Sequence, residues 1–66
     1  MTIGQCLLQA RKRAGLTQIE AAKKTKLSQK TISTIESQTD AKVSTISKLA
    51  RAYGLTVSEI LADLSR

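Results

Sequence analysis

The apolar residues of this chain recur at the three-to-four-residue interval of one helix face in five short segments. The first of these segments runs from Ile3 to Ala14. Thr2 stands where a hydroxyl can cap the first turn of a helix, and Gly15 stands where glycine commonly ends one. The pattern therefore predicts a first helix over Ile3 to Ala14.

The second and third segments follow after only a few residues. Thr17 and Glu20 have the spacing of a capping box, so a second helix is predicted from there to about residue 24 or 25. Its inward residues are predicted to be Ile19 and Ala22. Because the next apolar residues begin soon after, the chain has room for only a tight turn before the third helix.

The third predicted helix starts after Ser28, which suits an N-cap, and runs to about Ser37. Ile32 and Ile35 are three residues apart and fall on the same inward side. The outward side carries short hydrogen-bonding groups, whereas a solvent-exposed helix usually carries Glu and Lys there. These outward residues are Gln29, Lys30, Ser33, Thr34 and Ser37.

Two further helices are predicted after a polar loop. Ser44 is placed to cap the fourth, which ends at Gly54, and Thr56 with Glu59 forms a second capping box for the fifth. The chain is therefore predicted to be all-α, with five helices in one domain over residues 1–66. The apolar residues of the fifth helix are Val57, Ile60, Leu61 and Leu64. Part of this set has to close the core, and the remainder is available for a two-fold interface.

The composition excludes several kinds of site. A single cysteine, Cys6, and the lack of histidine leave no intramolecular disulfide and no spacing typical of zinc. Without a nucleophile–base pair, we expect no enzyme, no metal and no cofactor. No apolar run approaches the roughly 18 residues of a membrane span, and the start lacks the pattern of a signal peptide, so we expect a cytoplasmic protein.

The charge balance is strongly basic. Eleven Lys and Arg residues against five Asp and Glu residues give a net charge of +6 over 66 residues. Such an excess favours a polyanionic partner, although it also suits a basic surface that has no partner at all. The outward side of the third helix favours DNA, because Gln, Ser, Thr and Lys bond base edges and phosphates.

A set of motifs between Ile3 and Leu61 carries a resemblance to a known family. They are Arg11, Leu16-Thr17-Gln18, Ala22, Leu27-Ser28-Gln29, Thr31-Ile32-Ser33, Ile35-Glu36, Leu49-Ala50, Gly54-Leu55 and Val57 to Leu61. Together they resemble the Cro/cI-type helix-turn-helix family (the XRE family), which includes lambdoid phage repressors, controller proteins and many antitoxins. The resemblance implies a compact lambda-repressor-like domain with its helix-turn-helix at helices 2 and 3, from a bacterium or a mobile element.

The resemblance also implies roles for individual residues. Thr17 and Gln18, at the start of the second helix, and Lys42, in the loop before the fourth, are expected to contact the DNA backbone. Arg11 and Glu36 are expected to form a partly buried ion pair between the first and third helices. The residues expected to face the major groove, with Ser28 at their cap, are Gln29, Lys30, Ser33 and Thr34.

The chain departs from the family's pattern around the turn between the second and third helices. Lys26 stands where many members have glycine, because the backbone there commonly takes a positive φ; lysine in that conformation costs about 1 kcal/mol. Ala21 stands where leucine is common, and Thr25 where valine is common. Gln38 replaces the glycine that often follows the third helix. We expect these changes to affect stability and loop shape more than the fold.

Two functional hypotheses follow. The first is a sequence-specific regulator, a repressor that binds a near-palindromic operator as a homodimer. The alternative to the homodimer is a monomer, in which the fifth helix is wholly used in the core. The second is an antitoxin-type module that neutralises a toxin and co-represses its operon. An exposed surface that includes Leu8, Cys6 or the C-terminal residues would favour the second, because it would suit a protein partner.

Overall fold

All regular secondary structure is helical in the computed structural model, which describes residues 1–65. The all-α prediction with five α-helices is confirmed. The predicted order is also observed, and a short 3-10 segment follows the last α-helix. The elements are α1 (Ile3–Arg13), α2 (Gln18–Thr25), α3 (Gln29–Ser37), α4 (Val43–Ala52), α5 (Val57–Ala62) and the 3-10 segment Asp63–Ser65.

Hydroxyl caps begin four of the helices. Both capping boxes predicted from the sequence are observed. In the first, the Glu20 backbone N–H donates to the Thr17 hydroxyl at 3.1 Å, and the Thr17 N–H donates to the Glu20 carboxylate at 3.0 Å. Thr56 and Glu59 repeat this arrangement at α5. Because both ends of such a cap satisfy backbone N–H groups, the start of each helix is fixed by local sequence.

The fourth helix begins earlier than predicted, and the proposed cap at Ser44 is wrong. Lys42 takes the extended backbone conformation of an N-cap (φ −65°, ψ 145°), and the helix starts at Val43. The Ile46 N–H donates to the Lys42 carbonyl at 3.0 Å, so Ser44 already lies inside the first turn. No side chain caps this helix.

The core is formed by the inward faces of α1, α3 and α4, closed by α2 and α5. The prediction that Ile19 faces inward is wrong, because Ile19 is 53% exposed. Ala21, which is fully buried, takes the inward position; the two residues lie about 200° apart around the helix. Fully buried large side chains are Leu7, Ile32, Leu49 and Ile60.

The turn between α2 and α3 has the conformation that the resemblance implies. Lys26 has a positive φ of 61° and ends α2 in the left-handed region. Thr25, buried beside it, donates its hydroxyl to the Ala21 carbonyl at 2.8 Å and accepts from the Leu27 N–H at 3.3 Å. The threonine hydroxyl therefore supplies hydrogen bonds to the turn that valine lacks.

The N-terminus of α1 packs directly on the C-terminus of α3, through a glycine that the sequence did not single out. The N–H groups of Ile3 and Gly4 donate to the carbonyls of Thr39 and Gln38, at 3.3 and 3.2 Å. A Cβ on Gly4 would also lie 2.7 Å from the Glu36 carbonyl oxygen. The close approach therefore requires glycine, and it satisfies the carbonyls of the two residues that directly follow α3.

Candidate nucleic-acid interface

Helix α3 is anchored on one side and open on the other. Ile32 and Ile35 are buried, while the five outward residues named above are all exposed. At the start of the helix, the Ser28 hydroxyl accepts from the Thr31 N–H at 3.0 Å, and the two hydroxyl oxygens lie 2.8 Å apart. The helix therefore presents amide, hydroxyl and ammonium groups on a rigid element whose first turn is fixed by a cap.

A buried carboxylate joins α1, α2 and α3. Arg11 Nε donates to Glu36 Oε2 at 2.6 Å, and a second guanidinium nitrogen donates to Oε1 at 3.3 Å. The Gln18 amide donates to the same Oε1 at 3.0 Å. Arg11 also donates to the Leu16 carbonyl at 2.8 Å. The structure thus brings together the two residues expected to pair and adds Gln18 as a third member.

This network orients Gln18 at the start of α2. A glutamine amide carries two N–H bonds, and one of them is used on Glu36. The other remains available to an acceptor outside the protein, such as a phosphate oxygen. Thr17, next to it, is exposed, and its hydroxyl oxygen serves as the cap of α2.

A groove of about 440 Å³ separates α3 from the start of α4. It brings together Lys30, Thr34 and Lys42, which are separated in the sequence by up to twelve residues. Gln29 and Ser33 lie on the exposed side of α3 outside this groove. The exposed Lys42 is the N-cap of α4, and it stands beside backbone N–H groups that no side chain caps. This end of the groove is therefore positive in both side-chain and backbone charge.

Carboxylates do not neutralise this face. Within residues 1–65 two ion pairs are formed: Arg11 with Glu36, and Arg13 Nη1 with Asp63 Oδ2 at 3.4 Å. The two capping carboxylates are bound to backbone N–H groups, and the hydrogen bond from the Thr17 N–H lowers the pKa of Glu20. The remaining carboxylate, Asp40, accepts from the Ala41 N–H at 2.8 Å. The lysines around α3 therefore have no ion-pair partner among residues 1–65.

The residues predicted to form a two-fold interface differ in their exposure to solvent. Ile60 is 1% exposed and belongs to the core, so its assignment to an interface is wrong; α5 is short, and Ile60 is its buried residue. Val57 packs partly against the core. Leu61 and Leu64 are each 38% exposed and remain available on the surface.

The surface proposed for a protein partner also changes. Cys6, one of the residues that such a surface would include, is fully buried, and burial raises the pKa of its thiol. Cys6 therefore contributes nothing to a partner surface, because its side chain reaches no solvent. Leu8 is only partly exposed.

Neither a metal site nor a membrane span was found in the part of the chain that the structure describes. No group of three or more Cys, Asp and Glu side chains there is arranged to hold a metal ion. None of the described helices is long and apolar enough to cross a bilayer.

A helix-turn-helix family model matches residues 7–60, which is most of the chain. The matched region begins within α1 and ends within α5, so it contains α2, the turn and the whole of α3. The search of curated proteins returns no match.

Proposed function

Because the chain belongs to the XRE-type helix-turn-helix family of DNA-binding transcription regulators, we propose that it is a repressor that binds a near-palindromic operator as a homodimer. The observation that carries this proposal is the division of α3. Its apolar residues are locked in the core, and its outward side is a row of hydrogen-bonding groups beside Lys42. Such a helix fits the major groove, where base edges differ in their donors and acceptors.

Sequence reading is assigned to the N-terminal half of α3. The Gln29 amide can donate its N–H to adenine N7 and accept at its oxygen from adenine N6, and Lys30 can donate to guanine; each good pair discriminates by about 1–3 kcal/mol. Ser33 and Thr34 are the next residues along the same side. The fixed cap and the buried isoleucines support this assignment, since base discrimination needs side chains held on a rigid element.

Phosphate contacts flank the reading helix. Gln18 supplies the amide N–H that Glu36 leaves available, and the exposed Thr17 and Ser28 stand at the N-caps of α2 and α3. Lys42 acts from the opposite side of α3. These contacts set the orientation of α3 and supply most of the salt-dependent affinity. The contacts to base edges determine which DNA sequence is preferred.

The homodimer is assigned to the exposed apolar residues near the C-terminus, Leu61 and Leu64, with Val57 at their edge. A two-fold axis there gives each copy the same surface. The two α3 helices would then enter major grooves about 34 Å apart, one turn of DNA, and would require a near-palindrome. Occupancy of such a site across a promoter blocks transcription by exclusion.

The test is a selection of bound sequences from a random duplex pool at moderate salt. We expect an enriched near-palindrome whose half-sites are centred about 10 bp apart. An enriched single half-site would contradict the dimer and leave sequence-specific binding intact. Weak, salt-sensitive binding without enrichment would overturn the proposal and make a protein partner, as in the antitoxin hypothesis, the next object of search.

A further inference from the structure

Four cationic side chains from separate parts of the chain line one cleft between the end of α2 and α4. The cleft has a volume of about 770 Å³. Its other walls are formed by the side chains of Thr25, Ser44, Ser47 and Ala52, which are small and mostly hydroxylated. We call it the basic cleft, and its cations are Lys24, Lys26, Lys48 and Arg51.

No acidic residue lines the basic cleft. Each carboxylate side chain is bound outside the cleft, in a capping box, an ion pair or a hydrogen bond to the backbone of Ala41. Glu20, one helical turn before Lys24, also attracts this cation of the cleft. Neither of the two ion pairs among residues 1–65 uses a cation of the cleft. Four like charges on one cleft repel one another, so a polyanion that enters it relieves this repulsion.

The basic cleft is continuous with the groove beside α3. A smaller cavity of about 180 Å³ lies between them. It shares Ser44 and Lys48 with the basic cleft and Thr31 and Thr45 with the groove beside α3. One uninterrupted surface therefore leads from Lys42 to the cations of the cleft.

The dimensions of the cleft suit a nucleic-acid backbone. Ser44, Lys48 and Arg51 are spaced four and three residues apart and lie along one side of α4. At 1.5 Å per residue this side is about 10 Å long. Measured along the axis of a duplex, that length contains about three phosphates of one strand.

We propose that the basic cleft binds phosphates of the same duplex that α3 reads, on the strand that Lys42 approaches. The contact with the DNA backbone then extends from the N-terminus of α4 along the helix to Arg51. This inference rests on the proposed function and adds to it a second backbone surface, beyond the helix-turn-helix and the loop before α4.

The experiment compares two double variants with equal loss of charge. Lys48→Gln with Arg51→Gln removes two cations of the cleft. Lys12→Gln with Lys23→Gln removes two exposed cations outside it. Binding to the selected duplex and to an unrelated duplex is measured between about 50 and 200 mM salt. Duplexes with one neutral methylphosphonate linkage, moved along each strand, then locate the phosphates involved.

We expect the cleft variant to lower the salt slope by about 1.8, the value for two phosphate contacts, on both duplexes. The affinity advantage of the wild type over it then shrinks about tenfold across that salt range. Neutral linkages at two or three adjacent positions weaken the wild type and the control but not the cleft variant. If the cleft variant and the control behave alike in slope and linkage scan, the inference is overturned.

The failures of the two proposals are distinguishable. A wild type that binds both duplexes equally contradicts sequence-specific regulation, and the comparison of the variants still tests the cleft on either duplex. A wild type that binds neither duplex overturns both.

Lys26→Gly adds a separate check, because glycine relieves the positive φ while it removes a cation of the cleft. We expect a higher Tm together with a lower salt slope, which a loss of folding cannot produce.

Discussion

Within the described part of this small domain, charged side chains are buried and paired in one region and exposed without an ion-pair partner in another. Where α1, α2 and α3 meet, Arg11 and Glu36 are buried, paired and hydrogen-bonded. Around α3 and in the basic cleft, the lysines are exposed and no described carboxylate pairs with them. The difference shows that the acid joining three helices is buried with its arginine, whereas the lysines of the outer surface are left without an ion-pair partner among the described residues.

The largest effect is expected from breaking the buried pair. Glu36→Ala leaves Arg11 buried without its partner and should lower the free energy of unfolding by about 3–5 kcal/mol. Urea denaturation measures this loss. Replacing both residues, with Arg11→Met and Glu36→Leu, should restore much of the stability, because no uncompensated charge remains. A single variant that loses less than the double would contradict this explanation.

Gly4 tests the same junction without altering charge. Alanine in place of glycine inside a helix ordinarily stabilises by about 0.5–1 kcal/mol. Here the added Cβ would meet backbone carbonyls of α3, so Gly4→Ala should destabilise by about 1–3 kcal/mol. Gln9→Ala, at an exposed position of the same helix, is the control and should be near neutral. Equal stability of the two variants would show that α1 can move away from α3.

The exposed region should respond in binding and not in stability. Gln29→Ala and Lys30→Ala should each relax discrimination at particular operator positions by about 1–3 kcal/mol, with unfolding unchanged. Lys42→Ala should weaken all sequences about equally and flatten the salt slope by about one unit. Competition against duplexes with single base changes separates these two patterns. Unchanged base preference in both α3 variants would remove these residues from the reading role.

Tyr53 is a probe of solvent exclusion near the buried Arg11–Glu36 pair. Its hydroxyl is buried and has no hydrogen-bond partner among the described residues, and burial raises the pKa of Tyr53 to about 12. In the unfolded chain it ionises near pH 10, so stability should fall from about pH 10 up to 12 as the unfolded state loses its proton first. Tyr53→Phe should lack this part of the pH dependence. Because Tyr53 is the single tyrosine and no tryptophan is present, tyrosinate absorbance reports it directly.

The smallest effect is expected at the turn. Lys26→Gly should raise the free energy of unfolding by about 1 kcal/mol, since glycine takes a positive φ without strain. Lys26→Ala removes the same charge but keeps the strain, and it is the matched control. A stabilisation that appears in both variants would assign the effect to repulsion among the cations of the cleft.

The outcome of the sequence analysis follows the range of each interaction. Capping boxes depend on neighbouring residues, and the two predicted from the sequence are observed. The positive φ at Lys26 is the conformation that the resemblance implies. Ile19 is predicted on the wrong side of α2, because a short amphipathic helix offers more than one plausible apolar face. Ile60 lies on the predicted apolar side of α5, but the pattern does not tell which residues of that side the core uses. Both corrections come from tertiary packing, which a pattern within one helix does not contain.

The site shows the same limit. The division of α3 into apolar and polar sides was readable from spacing, and the pairing of Arg11 with Glu36 followed from the resemblance. The role of Gly4 and the basic cleft were missed, since both depend on segments far apart in the chain. A glycine inside an otherwise regular amphipathic helix was the available signal for Gly4.

The complete burial of Cys6 has a consequence for the fate of the molecule in the presence of oxidants. Thiol chemistry needs an accessible thiolate, and burial denies access and raises the pKa of the thiol. Two folded copies therefore cannot be crosslinked through sulfur. A disulfide between two copies would identify chains in which α1 had left the core and exposed Cys6.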